Sequence, residues 1–192
     1  MNTPRLILAS ASPRRSELLH QLGISGQVWP ADLDERPHPG ESPEAYVRRI
    51  AREKAEAVWA LARNGLPVLA ADTEVELDGI IFGKPKDKAH AVDMLTALSG
   101  REHRVLSSVG VFTGQGWSER LSISRVTFKP LTAAEIETYW ASGEPAGKAG
   151  AYAIQGRGAV FIRHLSGSYS GVMGLPLFET AELLAERGLL QP

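Results

Sequence analysis

Residues 6–19 place the tightest limit on what this chain can fold into. The apolar run Leu6-Ile7-Leu8-Ala9 reads as a short buried strand, and Ser10-Ala11-Ser12-Pro13-Arg14-Arg15 follows at once. Ser12 is a favoured N-cap, and Pro13 suits the first helical position, where its missing N–H costs nothing. A helix is therefore predicted from Pro13 to Leu22, with Leu18, Leu19 and Leu22 as its apolar stripe and Gly23 just past its end. A helix N-terminus presents unpaired N–H groups and partial positive charge, which suits an anion. Two adjacent guanidiniums add bidentate phosphate donors. The stretch reads as a polyphosphate cradle or as a plain capped helix with two solvated arginines.

Composition narrows the setting of such a site. The 192 residues suffice for a real core in one domain or two tightly joined lobes, with no separable linker over 1–192. A net charge of −1 gives no global pull toward nucleic acid or an anionic membrane, so an anion site has to be local. With no cysteine, disulfides, thiol chemistry and cysteine zinc sites are excluded. No apolar run approaches the roughly 20 residues that span a bilayer. The N-terminus lacks the pattern of a signal peptide, and a cytoplasmic protein is expected.

A second Ser-Pro start, Ser42-Pro43, predicts a helix to about Arg63, with Val47, Ile50, Ala51, Ala55, Val58 and Ala62 along one stripe. Lys54 lies on that same stripe. Either it snorkels to water or its tip reaches an anion in a cleft. Residues 31–40, acid- and proline-rich, are expected to be loop, and 68–71 a buried strand ending at Asp72. Ligands of open α/β sheets sit beyond the carboxyl ends of strands, so Asp72 is placed like a functional carboxylate, although an acid can also simply start a turn. Glu74 to Leu77 alternates, and Asp78-Gly79 signals a hairpin from it to 80–82. Lys84, between Gly83 and Pro85, is a phosphate contact or an ordinary loop lysine. Downstream, the pattern predicts a helix over 89–98, antiparallel strands over 105–112 and 118–128, and a capping-box helix from Thr132. It then predicts a glycine-dense run over 147–158 around a short strand, a strand over 159–162 and a loop over 167–171. A last helix opens at Pro176 and ends at Gly188.

The chemistry-bearing candidates are Arg14, Arg15, Lys54 and Lys84 on one side and Glu35 and Asp72 on the other. Cations together with acids make the composition of a metal–polyphosphate site. Carboxylates hold hard divalent ions, and an acid can instead accept the proton of an attacking water. Competing signatures are missing. There is no G-x-x-x-x-G-K-[ST] loop, no G-x-G-x-x-G after the first strand and no H-E-x-x-H among the five histidines, of which His20 should be solvated.

Taken together and in order, these residues resemble the Maf family of nucleoside triphosphate pyrophosphatases. The resemblance rests on Ser10-Ala11-Ser12-Pro13-Arg14-Arg15, Asp34-Glu35, Arg52-Glu53-Lys54-Ala55, Ala71-Asp72-Thr73, Gly83-Lys84-Pro85, Ala149-Gly150-Ala151-Tyr152, Ile154-Gln155-Gly156 and Val172-Met173-Gly174-Leu175-Pro176. It implies an α/β fold like that of inosine triphosphate pyrophosphatases, an elongated mixed β-sheet with flanking helices forming two lobes around a cleft. It further implies hydrolysis between the α and β phosphates with a divalent cation, Mg²⁺ or Mn²⁺. Carried over residue by residue, Asp72 matches the proton acceptor. Ser10, Arg14, Arg15, Lys54 and Lys84 match the phosphate site, and Glu35 and Asp72 the metal site. Arg14, Thr73 and Gln155 match the positions that separate substrates. Their identities resemble the dTTP/UTP subfamily rather than the 7-methyl-GTP one. A glutamine amide can match the acceptor–donor edge of uracil or thymine. A homodimer is the assembly the family suggests. A different class remains open, a nucleotide-binding regulator of septum formation acting without turnover. One position departs from the family: Glu74 stands where an apolar residue is usual. On a strand it shares a face with Asp72. It is expected to face solvent or pair with a nearby cation; otherwise it adds negative charge beside the metal.

Overall fold

A computed structural model describes residues 4–190. In chain order the elements are β1 (Leu6–Leu8), α1 (Pro13–Gln21), β2 (Gly26–Val28), α2 (Pro43–Ala62), β3 (Val68–Leu77), β4 (Ile80–Phe82), α3 (Lys88–Leu98), β5 (Glu102–Thr113), β6 (Gly116–Phe128) and α4 (Ala133–Ala141). Two 3₁₀ segments, Ala149–Ala151 and Gly156–Phe161, precede β7 (Ile162–Ser166), α5 (Tyr169–Met173) and α6 (Leu177–Glu186). The strands form one mixed sheet in the order β2-β1-β3-β5-β6-β7, with β4 also paired to β3. β1 runs parallel to β2 and β3, and the remaining pairings are antiparallel.

β3 is the strand around which the cleft is built. One of its edges pairs continuously with β5 from Val68 to Glu76. The other edge is divided. β1 pairs with Val68 and Leu69, and β4 pairs with Val75, Glu76 and Leu77. Between these two pairings, residues 70–74 have no strand beside them on this edge among the described residues. An α/β sheet places a ligand where its strands diverge, because that is where backbone and side chains at the sheet edge become accessible.

The core forms three clusters. One joins β1, α1 and α6 to the first half of β3, through Leu8, Leu18, Leu19, Leu69 and Leu183. A second joins α3 and α4 to the other half of β3, through Val75, Leu95, Leu98 and Phe128. The third lies on the opposite face under α2, with Ile7, Ala55, Val58 and Ala70. Two apolar centres thus flank the unpaired stretch of β3, and α2 roofs one face.

Several expectations change. The strand that should have ended at Asp72 continues to Leu77, so Asp72 sits in mid-strand. Asp72 and Glu76 are compatible with a buried strand because partners from α2 and β5 meet them. The glycine-dense run is not a strand. Gly150 and Gly156 adopt positive φ, 66° and 82°, which breaks extended structure into 3₁₀ turns. Residues 159–161 belong to the second of these turns, and the strand begins only at Ile162. Within 167–171, α5 starts at Tyr169, because the Ser168 hydroxyl caps the N–H of Gly171. Among the described residues no helix is long and apolar enough to cross a membrane.

Candidate active site

A cavity of about 450 Å³ opens at the unpaired stretch of β3, a size suited to a small-molecule ligand. Its wall includes Ser10 and the start of α1, Glu35 from the loop before α2, and Lys54 from α2. Asp72, Thr73 and Glu74 from β3, Lys84 after β4, Lys148 to Tyr152 in part, and Met173 and Gly174 after α5 complete it.

The α1 wall is open to an anion. Ser12 is the N-cap by backbone conformation, but its side chain caps nothing. The Ser10 hydroxyl instead accepts the N–H of Ser12 at 3.1 Å. Arg15 is clamped: Nε donates to the Gly174 carbonyl at 2.7 Å, Nη1 to Ser10 at 3.3 Å and Nη2 to the Thr73 hydroxyl at 3.4 Å. Gly174 holds φ 132°, a region that costs a glycine little, and so aims its carbonyl at Arg15. Among the described residues Arg14 is held only through Nε, which donates to the Met173 carbonyl at 3.3 Å. No carboxylate among the described residues forms an ion pair with either guanidinium. Burial lowers the pKa of both arginines, and for Arg15 the charge of Asp72 opposes it. Both remain cations, because guanidinium does not lose its proton in proteins.

The opposite wall is a chain of charges. Lys54 Nζ lies 2.8 Å from Asp72 Oδ1 and 2.7 Å from Glu35 Oε1. Lys84 Nζ lies 3.2 Å from Glu35 Oε2. Lys54 is only 7% exposed, so it does not snorkel; its ammonium is buried between two carboxylates. Burial works against the charged form of Glu35, yet its bonds to the two lysines hold its pKa below the ordinary value. The loop carrying Glu35 is fastened to α2. Tyr46 donates its hydroxyl to the Glu35 carbonyl at 2.7 Å, and Arg49 donates to the Arg36 carbonyl at 3.2 Å.

Asp72 is 5% exposed, and its Oδ2 is shielded from solvent with no hydrogen-bond partner. Two residues on, Glu74 departs from expectation. It neither faces solvent nor pairs with a cation; it is 7% exposed, and its Oε2 also has no partner. Burial, followed by the charge of Asp72, pushes its pKa well above the usual carboxylate range. The alternation of the strand turns Glu74 to the α2 side with Asp72, and the cleft leaves it no neighbouring donor.

Ser10, Arg14, Arg15, Glu35, Lys54, Asp72, Thr73 and Lys84 therefore meet around one cavity. Thr73 is tied down on the other face of β3, its hydroxyl 2.6 Å from that of Ser107, which donates to the Gly171 carbonyl. Gln155 is not in the cavity wall. Its Oε1 is shielded and unpartnered. Lys148 was not among the residues singled out from sequence, yet it lines the cavity, and burial, then the nearby Arg14, lowers its pKa. The signal available was its place inside the glycine-dense run. Gly150 fixes that run against β3, since a Cβ there would stand 2.9 Å from Val75 Cγ2. Tyr152 closes the wall. Its hydroxyl is 2.8 Å from His103 Nε2 and its ring packs edge-on to Phe128.

Among the described residues no three His, Asp or Glu side chains converge as a ready-made metal site. The donor set nevertheless fits a hard divalent ion. Asp72 Oδ2 and Glu74 Oε2 are buried carboxylate oxygens without donors. Mg²⁺ is typically held by one or two carboxylates, with water and phosphate oxygens completing its shell.

The profile of the family described as Maf-like protein matches residues 5–187. A protein of Methylococcus capsulatus named dTTP/UTP pyrophosphatase is 56% identical over 185 residues, covering 96% of this chain and 92% of its own length. One of the same name from Chromobacterium violaceum is 54% identical over 195 residues, covering 100% and 98%. Among solved structures, a nucleoside-triphosphatase, dITP/XTP pyrophosphatase, from Mycobacterium abscessus aligns over 95% of this chain and 94% of its own. It does so at a TM-score of 0.46 and 16% identity.

Proposed function

The chain belongs to the Maf family, and from that premise we propose that it hydrolyses dTTP and UTP to the nucleoside monophosphate and pyrophosphate. The observation that carries the reading is Asp72: a buried carboxylate with one oxygen held by Lys54 and the other unpartnered, facing a cavity walled by cations.

In this reading the triphosphate lies between the α1 wall and the two lysines. Arg14, with both terminal nitrogens unengaged among the described residues, and Lys148 supply charge to the phosphate oxygens. Arg15 is preset by its clamp, so it reorganises little as charge grows on those oxygens. Water adds to the α-phosphorus, Asp72 Oδ2 takes its proton, and the bond from the α-phosphorus to the bridging oxygen breaks as pyrophosphate leaves. Lys54 fixes Asp72 through Oδ1, which keeps Oδ2 aimed at the water. A divalent cation, Mg²⁺ or Mn²⁺, would be held by Asp72 and Glu35 and would neutralise phosphate charge. Gln155 we assign to the base edge. Its unpartnered Oε1 is the state expected of an atom that accepts a hydrogen bond from a ligand.

The test is pyrophosphate release by the purified protein from UTP, dTTP and 7-methyl-GTP with MgCl₂. UTP and dTTP should be cleaved, a chelator should stop the reaction, and Asp72→Asn should lower kcat by about 10²–10⁴-fold. Cleavage of 7-methyl-GTP with UTP and dTTP left intact overturns the substrate assignment. Nucleotide binding with no turnover favours the regulatory reading instead.

A further inference from the structure

The α2-facing side of β3 carries three acids in a row: Asp72, Glu74 and Glu76. The outer two are matched by cations. Asp72 accepts from Lys54, and Glu76 accepts from Arg104, which also reaches Glu44, and from the Gly79 N–H. The carboxylate of Glu74, between them, forms no hydrogen bond or ion pair with any described residue, and its Oε2 is shut off from solvent. A buried carboxylate oxygen without a donor costs free energy in the folded state. Strands accept β-branched apolar residues at buried positions readily, so packing alone does not call for an acid here. The nearest cations are already committed: Lys54 to Asp72 and Glu35, Lys84 to Glu35. Each oxygen of Glu35 already pairs with a lysine, whereas Asp72 Oδ2 and Glu74 Oε2, on two residues that line the cavity, pair with nothing among the described residues.

We propose that Glu74 is a direct ligand of a divalent cation held in the cleft beside Asp72, its buried Oε2 being the donor. An acid on the cleft wall, with water and phosphate oxygens completing the shell, is the kind of donor that suits Mg²⁺ or Mn²⁺. Glu74 then anchors the cation from the protein side, and Asp72 Oδ2 stays available for the proton. The assignment rests on reading the cleft as a cation-assisted pyrophosphatase site, but its test needs no turnover.

Mn²⁺ is titrated into the nucleotide-free full-length protein by calorimetry, and melting curves are taken in chelator and in MnCl₂. The parent is compared with Glu74→Gln and Glu74→Ile. Both variants should bind Mn²⁺ more weakly by about tenfold or more, the loss that even an outer-shell partner of a bound metal brings. In chelator Glu74→Ile should melt at or above the parent, since it removes an unpartnered buried acid. In MnCl₂ the parent should gain more than either variant. Equal Mn²⁺ affinity in all three proteins, or equal gains in melting temperature, overturns the proposal. UTP cleavage by those same variants would leave the pyrophosphatase reading standing, so the two failures are distinguishable.

Discussion

Two helices of this chain begin with the same dipeptide and end up with opposite chemistry. α2 starts at Ser42-Pro43, and its serine hydroxyl accepts the Ala45 N–H at 3.2 Å. Glu44 stands in its first turn, where a negative charge complements the helix dipole. Its arginines are matched by acids: Arg48 by Glu119, Arg49 by Glu41 and Glu53, and Arg52 by Glu56. α1 starts at Ser12-Pro13 with no side-chain cap, no acid in its first turn, and two arginines that bond only to neutral oxygens. Positive charge at an uncapped helix start opposes the dipole. The fold meets the capping and charge rules at the start of α2 and leaves both unmet at the start of α1, at the edge of the cavity. The difference marks α1 as the end waiting for an anion.

The largest way to break this contrast is Arg14→Ala. Its guanidinium makes one hydrogen bond to the protein, so the fold should lose little. The melting temperature should stay level or rise slightly as an unmatched cation leaves the helix start. Steady-state kinetics with UTP should show kcat/KM down by about 10²–10³-fold, the scale of losing one charge contact to a developing oxyanion. A large fall in melting temperature with unchanged kcat/KM would make Arg14 a structural residue and erase the contrast.

Arg15→Lys sharpens the contrast at smaller cost. Lysine keeps the charge but not the fork that reaches Gly174, Ser10 and Thr73 together. Stability should fall by roughly 1–2 kcal/mol, since a typical hydrogen bond contributes about 0.5–1.5 kcal/mol, and kcat/KM by about tenfold. Paired denaturant melts and kinetics check both. If activity falls with no change in stability, the clamp does not hold the wall together.

What could be read from sequence follows the range of the interaction. The starts of α1 and α2, the capping box of α4 and the Asp78-Gly79 turn depend on residues within four positions, and they are legible. The continuity of β3 through Asp72 is not, because Asp72 and Glu76 are made compatible with one buried strand by Lys54 and Arg104, 18 and 28 residues away. Glu74 was expected at the surface or beside a cation for the same reason: nothing local reveals that the facing helix leaves it enclosed. The helical α5 was hidden by Gly171, which reads as loop until Ser168 is seen capping its N–H. The cavity residues were legible as a set through their charge pattern and family motifs. Lys148 was not, because a lone lysine in a glycine run carries no pattern of its own. Gln155 carries the motif yet lies outside the cavity wall, between two 3₁₀ segments that the sequence pattern does not announce.

The smallest expected effect compares the two serines directly. Ser42→Ala removes a cap from an exposed helix start and should cost about 1 kcal/mol, or about 2–4 °C in melting temperature for a chain of this size. Ser12→Ala removes a hydroxyl that caps nothing, so its shift should stay within about 0.5 kcal/mol, the range of a change that breaks no named interaction. The two substitutions are chemically identical and sit at the same helical position. A difference between them therefore reports only whether the hydroxyl meets the helix N–H groups. Adding inorganic pyrophosphate should raise the melting temperature of the parent, because an anion bound to the folded state stabilises it in proportion to its occupancy. That gain should survive in Ser42→Ala, whose helix start is away from the cavity. Equal destabilisation by the two alanines would mean that Ser12 caps α1 in solution. The α1 start would then be closed, and the anion site would have to be built from side chains alone.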